Sequence, residues 1–157
     1  MSSAETADVD RPSLDCTFMS IAELWAQRST CSRAHVGAVL ARDGRQLMAG
    51  YNGAPPGMPH CQHAPTDTGC TDAVHDAANL IGHAARLGVA VDGATFYTTH
   101  SPCKACGLLL ISAGIKRVVY GIPYRVDDAG YSGVSVMQQA GVRVELFGAA
   151  DGPGLYA

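Results

Sequence analysis

Two closely spaced cysteines and one histidine constrain this chain more than any other feature. Cys103 and Cys106 lie in the segment SPCKAC (101–106), and Cys103 follows His75 by 28 positions. Residues three apart on a helix share a face, and the first turn of a helix favours thiolate over thiol. Zinc is bound by thiolate and imidazole, and a catalytic zinc has three protein ligands and one open position. The pattern therefore predicts a zinc site.

These residues have two other interpretations. An isolated Cys-x-x-Cys pair is also typical of redox proteins, and an isolated histidine usually has no metal role. The setting favours a metal, because Ser101 and Pro102 lie between a predicted strand and a predicted helix. Ser101 is expected to be the N-cap of that helix, with Pro102 at its first position. We therefore expect Zn²⁺ on His75, Cys103 and Cys106.

The composition is that of a globular protein. Of 157 residues, 47% are apolar and 16% are charged, which suffices for a hydrophobic core. The net charge of −3 argues against binding long nucleic acid. No apolar run reaches the about 18 residues of a membrane span, and the segment MSSAETADVD lacks the apolar core of a signal peptide. We expect a cytoplasmic protein without membrane contact, in which clustered cysteines indicate metal.

Hydrophobic periodicity predicts an alternation of strands and helices after an initial hairpin. The predicted helices cover 13–28, 73–87, 101–113 and 131–140, and the predicted strands cover 36–41, 45–51, 94–100, 117–121 and 142–147. The segment 52–72, with four prolines, is predicted to be a long loop. We expect flexible tails over 1–12 and 149–157, and a single domain over 13–148. Its fold class is α/β, a mixed five-stranded sheet with helices on both faces.

Several segments resemble one enzyme family. VHDAAN (74–79) with SPCKAC is similar to the signature of zinc nucleobase deaminases, H-x-E followed by P-C-x-x-C. SIAELWAQRSTCSR (20–33), GYNGAP (50–55) and GIKRVVYG (114–121) resemble the deoxycytidylate (dCMP) deaminase branch, including bacterial competence-protein relatives. The resemblance extends from about Met19 to Val144. It implies a cytidine-deaminase-like three-layer α/β/α fold and a zinc-dependent hydrolase that converts dCMP to dUMP and ammonia.

One position departs from the family signature. Where the signature has glutamate, this chain has Ala77. The resemblance implies that the glutamate transfers protons while a zinc-bound water attacks C4 of cytosine. Asp76 is not expected to substitute, because it points about 100° around the helix and is one methylene shorter. The chain is therefore expected to be close to inactive, either through an engineered change or as a natural pseudoenzyme; the intact remaining motifs favour the first explanation.

The resemblance also implies substrate contacts. Asn52 would bind the sugar hydroxyls, the backbone N–H near Asp76 the base carbonyl, and the carbonyl of Ser101 the exocyclic amine. In some family members the GYNG region binds regulatory deoxynucleotide triphosphates, which implies an alternative role for Tyr51 and Asn52.

The 5′-phosphate of a pyrimidine nucleotide needs a cationic partner. Guanidinium binds phosphate oxygens through paired hydrogen bonds, so the candidates are Arg28, Arg33 and Arg125. The alternative for each arginine is a solvated surface charge. The segment 60–71 matches no part of the family pattern, so a modified or analogue pyrimidine monophosphate is an alternative substrate. A non-catalytic nucleotide-binding or regulatory protein is the alternative to an enzyme.

A second metal site is predicted from four residues, Cys31, Cys61, His63 and Cys70. Cys31 and Cys61 lie where certain phage members of the family place structural zinc ligands, but those proteins take the remaining ligands from an insert that this chain lacks. Three thiolates and one imidazole would complete a closed tetrahedral site, and free thiols in a loop are the alternative. The resemblance further implies a homo-oligomer, a hexamer or a dimer.

Overall fold

A β-hairpin followed by parallel strands forms the central sheet of the computed structural model, which describes residues 11–64 and 66–148. The strands are β1 (Gly37–Arg42), β2 (Arg45–Tyr51), β3 (Thr95–His100), β4 (Arg117–Ile122) and β5 (Arg143–Leu146). The helices are α1 (Leu14–Ala26), α2 (Asp76–Leu87), α3 (Lys104–Ser112) and α4 (Gly133–Gln139). Apart from Arg11 and Pro12, the predicted tails lie outside the described residues.

The sheet is mixed, with strand order β2-β1-β3-β4-β5. β1 pairs antiparallel with both β2 and β3, while β3, β4 and β5 are parallel. The predicted hairpin is confirmed: Asp43 and Gly44 have φ of 52° and 70°, the left-handed pair that a two-residue turn between twisted strands requires. The carboxyl ends of β3 and β4 therefore meet at one edge of the sheet.

Helices cover both faces of the sheet, as predicted. On one face, α1 packs Phe18, Met19 and Ala22 against Val39 and Tyr97. On the other face, α2, α3 and α4 enclose the larger core, whose buried members include Leu40, Leu80, Phe96, Leu110, Val118 and Met137. Neighbouring residues of a strand point to opposite faces, so one run of apolar residues in β1 supplies both cores.

Gly37 sets how closely α1 approaches β1. A Cβ added at Gly37 would lie 1.9 Å from the carbonyl oxygen of Ala22 and 2.4 Å from the backbone nitrogen of Ala26. No side chain fits in that space, so the absence of one at Gly37 allows the backbones of helix and strand to touch.

Two predicted helix starts are wrong. α3 begins at Lys104 with Cys103 as its N-cap, so Ser101 is not the cap and Pro102 is not in the helix. A helical backbone conformation is disfavoured at a residue that precedes proline, as Ser101 does. The Ser101 hydroxyl instead bonds the backbone of Tyr124, accepting from its N–H at 2.8 Å and donating to its carbonyl at 3.1 Å.

α2 begins at Asp76 and not at Ala73, because Val74 forms a two-way β-bridge with Gly53 through hydrogen bonds of 2.8 and 3.0 Å. Other element ends differ from the predictions by one or two residues; α1 has the predicted N-cap, Ser13. The predicted loop over 52–72 contains no helix or strand among its described residues. The described helices are all too short or too polar to pass through a lipid bilayer.

Candidate metal centre and adjoining pocket

Two helix N-termini and the end of a strand bring the predicted metal ligands together. His75 is the N-cap of α2, and Cys103 is the N-cap of α3, directly after the β3 edge. Cys103 is held by a β-bridge to Ser132, and the N–H of Lys104 donates to the carbonyl of Tyr131 at 2.6 Å. Backbone contacts that involve no metal therefore set the positions of these ligands.

The geometry of this group fits zinc. The Nδ1 atom of His75 lies 3.4 Å from the Sγ atom of Cys103 and 3.4 Å from that of Cys106. Tetrahedral bonds of about 2.3 Å to sulfur and about 2.0 Å to nitrogen would separate the ligand atoms by about 3.5 Å. One imidazole and two sulfurs are also the donor types that zinc prefers, and three ligands leave one position open. The three residues predicted from the sequence are thus assembled.

The three ligand side chains shift each other's protonation. Contact with the Cys106 thiol, aided by His75 and opposed by burial, lowers the pKa of Cys103 to about 4. The neighbouring Cys103 sulfur and burial raise the pKa of the Cys106 thiol. Contact with Cys103 raises the pKa of His75. The site therefore favours a thiolate at Cys103, and metal binding would compete with protons on Cys106 and His75.

A cavity of about 580 Å³ opens above these ligands. Its walls come from four segments, 31–36, 68–76, 100–106 and 124–131, together with Asn52. This volume is within the range of about 300–1,000 Å³ that is usual for small-molecule sites. A molecule bound in the cavity would thus lie against the metal centre.

The side chains that follow His75 differ in their surroundings. Ala77 is 1% exposed, belongs to the larger core and does not line the cavity. Asp76 does line it, and is the only acidic residue among the described residues that do so. Its Oδ2 atom accepts a hydrogen bond of 2.8 Å from the Thr98 hydroxyl. Burial raises the pKa of Asp76 to about 6.

Two of the three candidate phosphate-binding arginines lie at the cavity. Arg33 donates to the Tyr124 hydroxyl at 3.3 Å, and the Arg125 guanidinium lies 4.3 Å from the centre of the Tyr131 ring and pairs with Asp128. Both arginines are exposed and line the cavity. Arg28 is also exposed, but it does not line the cavity.

The predicted sugar-binding residue has structural partners. Asn52 is 6% exposed, and its Oδ1 atom accepts hydrogen bonds from the Val36 N–H at 2.8 Å and the Ser29 hydroxyl at 2.6 Å. Its Nδ2 atom donates to the Ala34 carbonyl at 2.8 Å. Asn52 therefore fixes the segment 29–36, which forms one wall of the cavity.

The other two predicted binding residues are placed differently. Ser101 lines the cavity, and its hydroxyl is engaged by Tyr124, as described above. Tyr51 does not line the cavity; its ring stacks on Trp25, with 5.9 Å between ring centres. The structure thus separates Tyr51 from the pocket that Asn52 adjoins.

The second predicted ligand set is also assembled. Donor atoms of Cys31, Cys61, His63 and Cys70 all lie within 4.8 Å of one another, with 3.7 Å between the Cys31 sulfur and the His63 Nε2 atom. The His63 Nδ1 atom lies 3.5 Å from the Asp67 carboxylate, an arrangement that commonly orients a metal-binding imidazole. Burial raises the pKa of the Cys61 thiol to about 11. We call these four ligand residues the Cys3His cluster.

Four residues that line the cavity were not predicted from the sequence: His35, His100, Tyr124 and Tyr131. A usable signal existed for two of them, because the carboxyl ends of parallel strands meet where such sheets bind ligands. His100 ends β3, and Tyr124 follows β4 by two residues. His35 and Tyr131 depend on loop conformations that carry no comparable signal.

Comparison with known proteins gives one consistent result. Residues 12–122 match the family model of the cytidine and deoxycytidylate deaminase zinc-binding region. Deoxycytidylate deaminase of Mycobacterium phage D29 is 40% identical over 126 residues, which cover 71% of this chain and 97% of the phage protein. ComE operon protein 2 of Bacillus subtilis is 39% identical over 140 residues, covering 87% of this chain and 72% of that protein.

A solved structure has the same fold. The crystal structure of dCMP deaminase from the cyanophage S-TIM5, in complex with dCMP and dUMP, superposes with a TM-score of 0.78 at 34% sequence identity. The match covers 87% of this chain and 98% of that one. The predicted α/β fold, with its mixed sheet between two helical layers, is therefore confirmed.

Proposed function

Because the chain belongs to the cytidine and deoxycytidylate deaminase family, we propose that its pocket binds dCMP and that its fold serves the hydrolysis of dCMP to dUMP and ammonia. One observation carries this proposal: His75, Cys103 and Cys106 lie at the base of a nucleotide-sized cavity with their donor atoms at zinc-ligand spacing. Relatives named deoxycytidylate deaminase, and a structural neighbour that binds dCMP and dUMP, support the choice of substrate.

Different residues of the pocket would bind different parts of the nucleotide. His75, Cys103 and Cys106 would hold zinc, which would supply a water molecule with its pKa lowered to about 7. Arg33 and Arg125, at the exposed mouth, would hold the 5′-phosphate by charge-assisted hydrogen bonds. The backbone at Asp76 and Ser101 would hold the pyrimidine ring next to the metal ligands. Such placement would contribute to catalysis by orientation.

Ala77 would limit turnover. A methyl group transfers no proton, and each proton-transfer step that loses its positioned group is slowed by about 10²–10⁴-fold. Asp76 is the nearest carboxylate in sequence, but it is held by Thr98. We therefore infer that the chain binds its nucleotide and deaminates it very slowly.

The direct test is Ala77→Glu, assayed by the ultraviolet absorbance change of dCMP with zinc bound. We expect a rate increase of at least about 10²-fold. Ala78→Glu, one position along α2, is the matched control and should give no increase. Zinc content and thermal unfolding show whether each variant is folded. If the folded, zinc-loaded Ala77→Glu variant deaminates no pyrimidine nucleotide, the proposed activity is wrong.

Asp76→Asn in the otherwise unchanged chain tests the remaining carboxylate. We expect the low basal rate to change by less than about tenfold, because Asp76 is not expected to carry protons for the reaction. A larger loss, with zinc content unchanged, would instead assign proton transfer to Asp76 and contradict the inferred effect of Ala77.

Ala77 itself favours a second candidate function. A chain that retains the metal ligands and the pocket but lacks the proton carrier could serve as a non-catalytic nucleotide-binding or regulatory protein. Calorimetric titration with dCMP, 5-substituted dCMP analogues and deoxynucleotide triphosphates distinguishes the possibilities. Preferential binding of triphosphates favours regulation, and preferential binding of a 5-substituted analogue favours a modified pyrimidine substrate.

We propose that the Cys3His cluster binds a second, structural zinc. Four donors complete a closed tetrahedral site, and the cluster links the loop 52–72 to Cys31, beyond the end of α1. Metal analysis should give two zinc ions per chain, and one after Cys61→Ser. Cys16→Ser, a change of a buried cysteine in α1, is the matched control and should leave two. One zinc per unmodified chain would contradict the second site.

We further propose that the protein is a cytoplasmic homo-oligomer, a hexamer or a dimer. The support is the family resemblance, together with exposed apolar side chains such as Leu87, Leu108 and Ile122. Size-exclusion chromatography with light scattering measures the mass directly. A monomer at micromolar concentration would contradict the oligomer.

A further inference from the structure

His100 is a cavity residue that none of the roles above uses. It ends β3 and directly precedes Ser101. Alternate residues of a strand share a face, so His100 lies on the same face as Phe96 and Thr98. Both of these are 0% exposed; Phe96 belongs to the core under α2 and α3, and Thr98 bonds Asp76. His100 is therefore on the metal-centre side of the sheet, and it is half-buried in the cavity wall.

A short chain of hydrogen bonds involves the His100 ring. The N–H of Gly37 donates to the Thr99 hydroxyl oxygen at 3.2 Å, and that hydroxyl lies 3.0 Å from the Nδ1 atom of His100. With the Gly37 N–H on one lone pair, the hydroxyl either directs its single proton to Nδ1 or accepts from an Nδ1–H group through its second lone pair; we assign the first arrangement, in which Nδ1 is the acceptor. Burial lowers the pKa of His100, which favours the neutral ring. A neutral ring with Nδ1 as acceptor carries its proton on Nε2.

Resting on the proposed function, we propose that the Nε2–H group of His100 donates a hydrogen bond to an acceptor atom of the pyrimidine base, which makes His100 a base-recognition residue. The phosphate has other partners, since Arg33 and Arg125 lie at the exposed mouth. His100 instead lines the same cavity as the metal ligands Cys103 and Cys106, where the reacting end of the base would lie. Ring nitrogen and carbonyl oxygen are the acceptors that such a base presents.

The first test compares two ligands of the zinc-loaded chain by calorimetry, dCMP and 2-deoxyribose 5-phosphate, which lacks the base. His100→Leu should weaken dCMP binding by about five- to tenfold and leave 2-deoxyribose 5-phosphate unchanged. His100→Gln, whose amide nitrogen can take the place of Nε2, should retain most of the affinity, and His100→Asn should not. Unchanged dCMP affinity in His100→Leu, or an equal loss for both ligands, would overturn the proposal.

The second test reads the ring directly, without any ligand. Nitrogen-15 NMR of the folded chain should show Nε2 protonated and Nδ1 unprotonated at neutral pH. Thr99→Val should mix the two tautomers, while Thr99→Ser, which keeps the hydroxyl, should not. A protonated Nδ1 in the unmodified chain would overturn the proposal.

Failure of the proposed function gives a different result. If the unmodified, zinc-loaded chain binds dCMP no more tightly than 2-deoxyribose 5-phosphate, the pocket does not recognise a pyrimidine nucleotide. That outcome overturns the proposed substrate, and base recognition by His100 with it. A tight dCMP complex that is insensitive to His100→Leu overturns the role of His100 alone.

Discussion

The Arg117 guanidinium lies 2.5 Å from a carboxylate oxygen of Asp15, and so joins the start of β4 to the first turn of α1 across 102 positions of the chain. A second contact of 2.7 Å makes the pair bidentate. The Tyr97 hydroxyl donates to Asp15 at 2.6 Å, and Glu145 accepts from Arg117 at 2.6 Å. This network ties α1 to the sheet at the end away from the cavity.

The network predicts a pH dependence of stability. Hydrogen bonding to Arg117 lowers the pKa of Asp15 in the folded state. Because the folded pKa is below the unfolded value of about 3.9, the stabilisation is complete above that value and is lost as the pH falls through the folded pKa. Asp15→Asn should lower the free energy of unfolding by about 1.5–3 kcal/mol at neutral pH and flatten the acid limb.

Urea unfolding at several pH values down to about 3 measures both effects. Arg143→Met is the control, because Arg143 contacts the same Glu145 at 3.0 Å but is 65% exposed. An exposed pair of that kind contributes less than about 1 kcal/mol. An acid limb that is as steep in Asp15→Asn as in the unmodified chain would contradict the prediction.

Gly37→Ala should be strongly destabilising. The added Cβ would overlap backbone atoms of α1, which cannot turn aside as a side chain can, so helix and strand must separate. We expect a loss of at least about 3 kcal/mol in the free energy of unfolding. Gly82→Ala is the matched control: Gly82 lies in α2 with nothing within 4 Å of the added atom, and the change should be neutral or stabilising by up to about 1 kcal/mol. Similar effects at both glycines would show that α1 adapts.

Arg33→Ala should weaken phosphorylated ligands selectively. Loss of a charge-assisted hydrogen bond should reduce the affinity for dCMP by about 10-fold or more, with deoxycytidine affected less than about twofold. Arg28→Ala, which removes an exposed arginine outside the cavity, is the control and should change neither affinity. Competition binding with zinc-loaded protein gives both values. Equal losses for nucleotide and nucleoside would exclude a phosphate contact.

Cys70→Ser should affect nucleotide binding as well as metal content. Cys70 belongs to the Cys3His cluster and lines the cavity beside Thr68 and Gly69. Loss of Cys70 as a metal ligand should therefore make this part of the cavity wall mobile. We expect one zinc fewer per chain and dCMP binding weaker by about tenfold. Thr71→Ala, an exposed change in the same loop, should alter neither quantity. Full dCMP affinity after loss of the second zinc would separate the two sites functionally.

Local sequence signals were sufficient for most of the fold. The Asp43-Gly44 turn, the Ser13 cap and the alternation of apolar residues depend on near neighbours, and each was predicted correctly. The start of α3 was not, because long-range contacts of Ser101 with Tyr124 compete with the local helix signal. Local helix propensity contains no information about a hydrogen-bond partner that lies 23 positions away.

The candidate site divides in the same way. Both metal-ligand sets were predicted from residue type and family resemblance, and the structure brings the donor atoms of each set together. Which arginines adjoin the cavity was not predictable, because the path of the chain between α1 and β1 and after β4 decides it. Arg125, which lines the cavity, has a positive φ of 49°. Such a conformation is uncommon for a residue other than glycine, so the sequence does not predict it.

The cavity takes its walls from residues as far apart as Cys31 and Tyr131. During synthesis on the ribosome, the metal ligands are all present once Cys106 has emerged, but the cavity lacks part of its wall until Tyr131 has emerged. The backbone partners of Cys103 and Lys104, which are Ser132 and Tyr131, emerge with that same segment. The metal centre and the cavity are therefore completed together, and a nascent chain arrested before this segment would have neither.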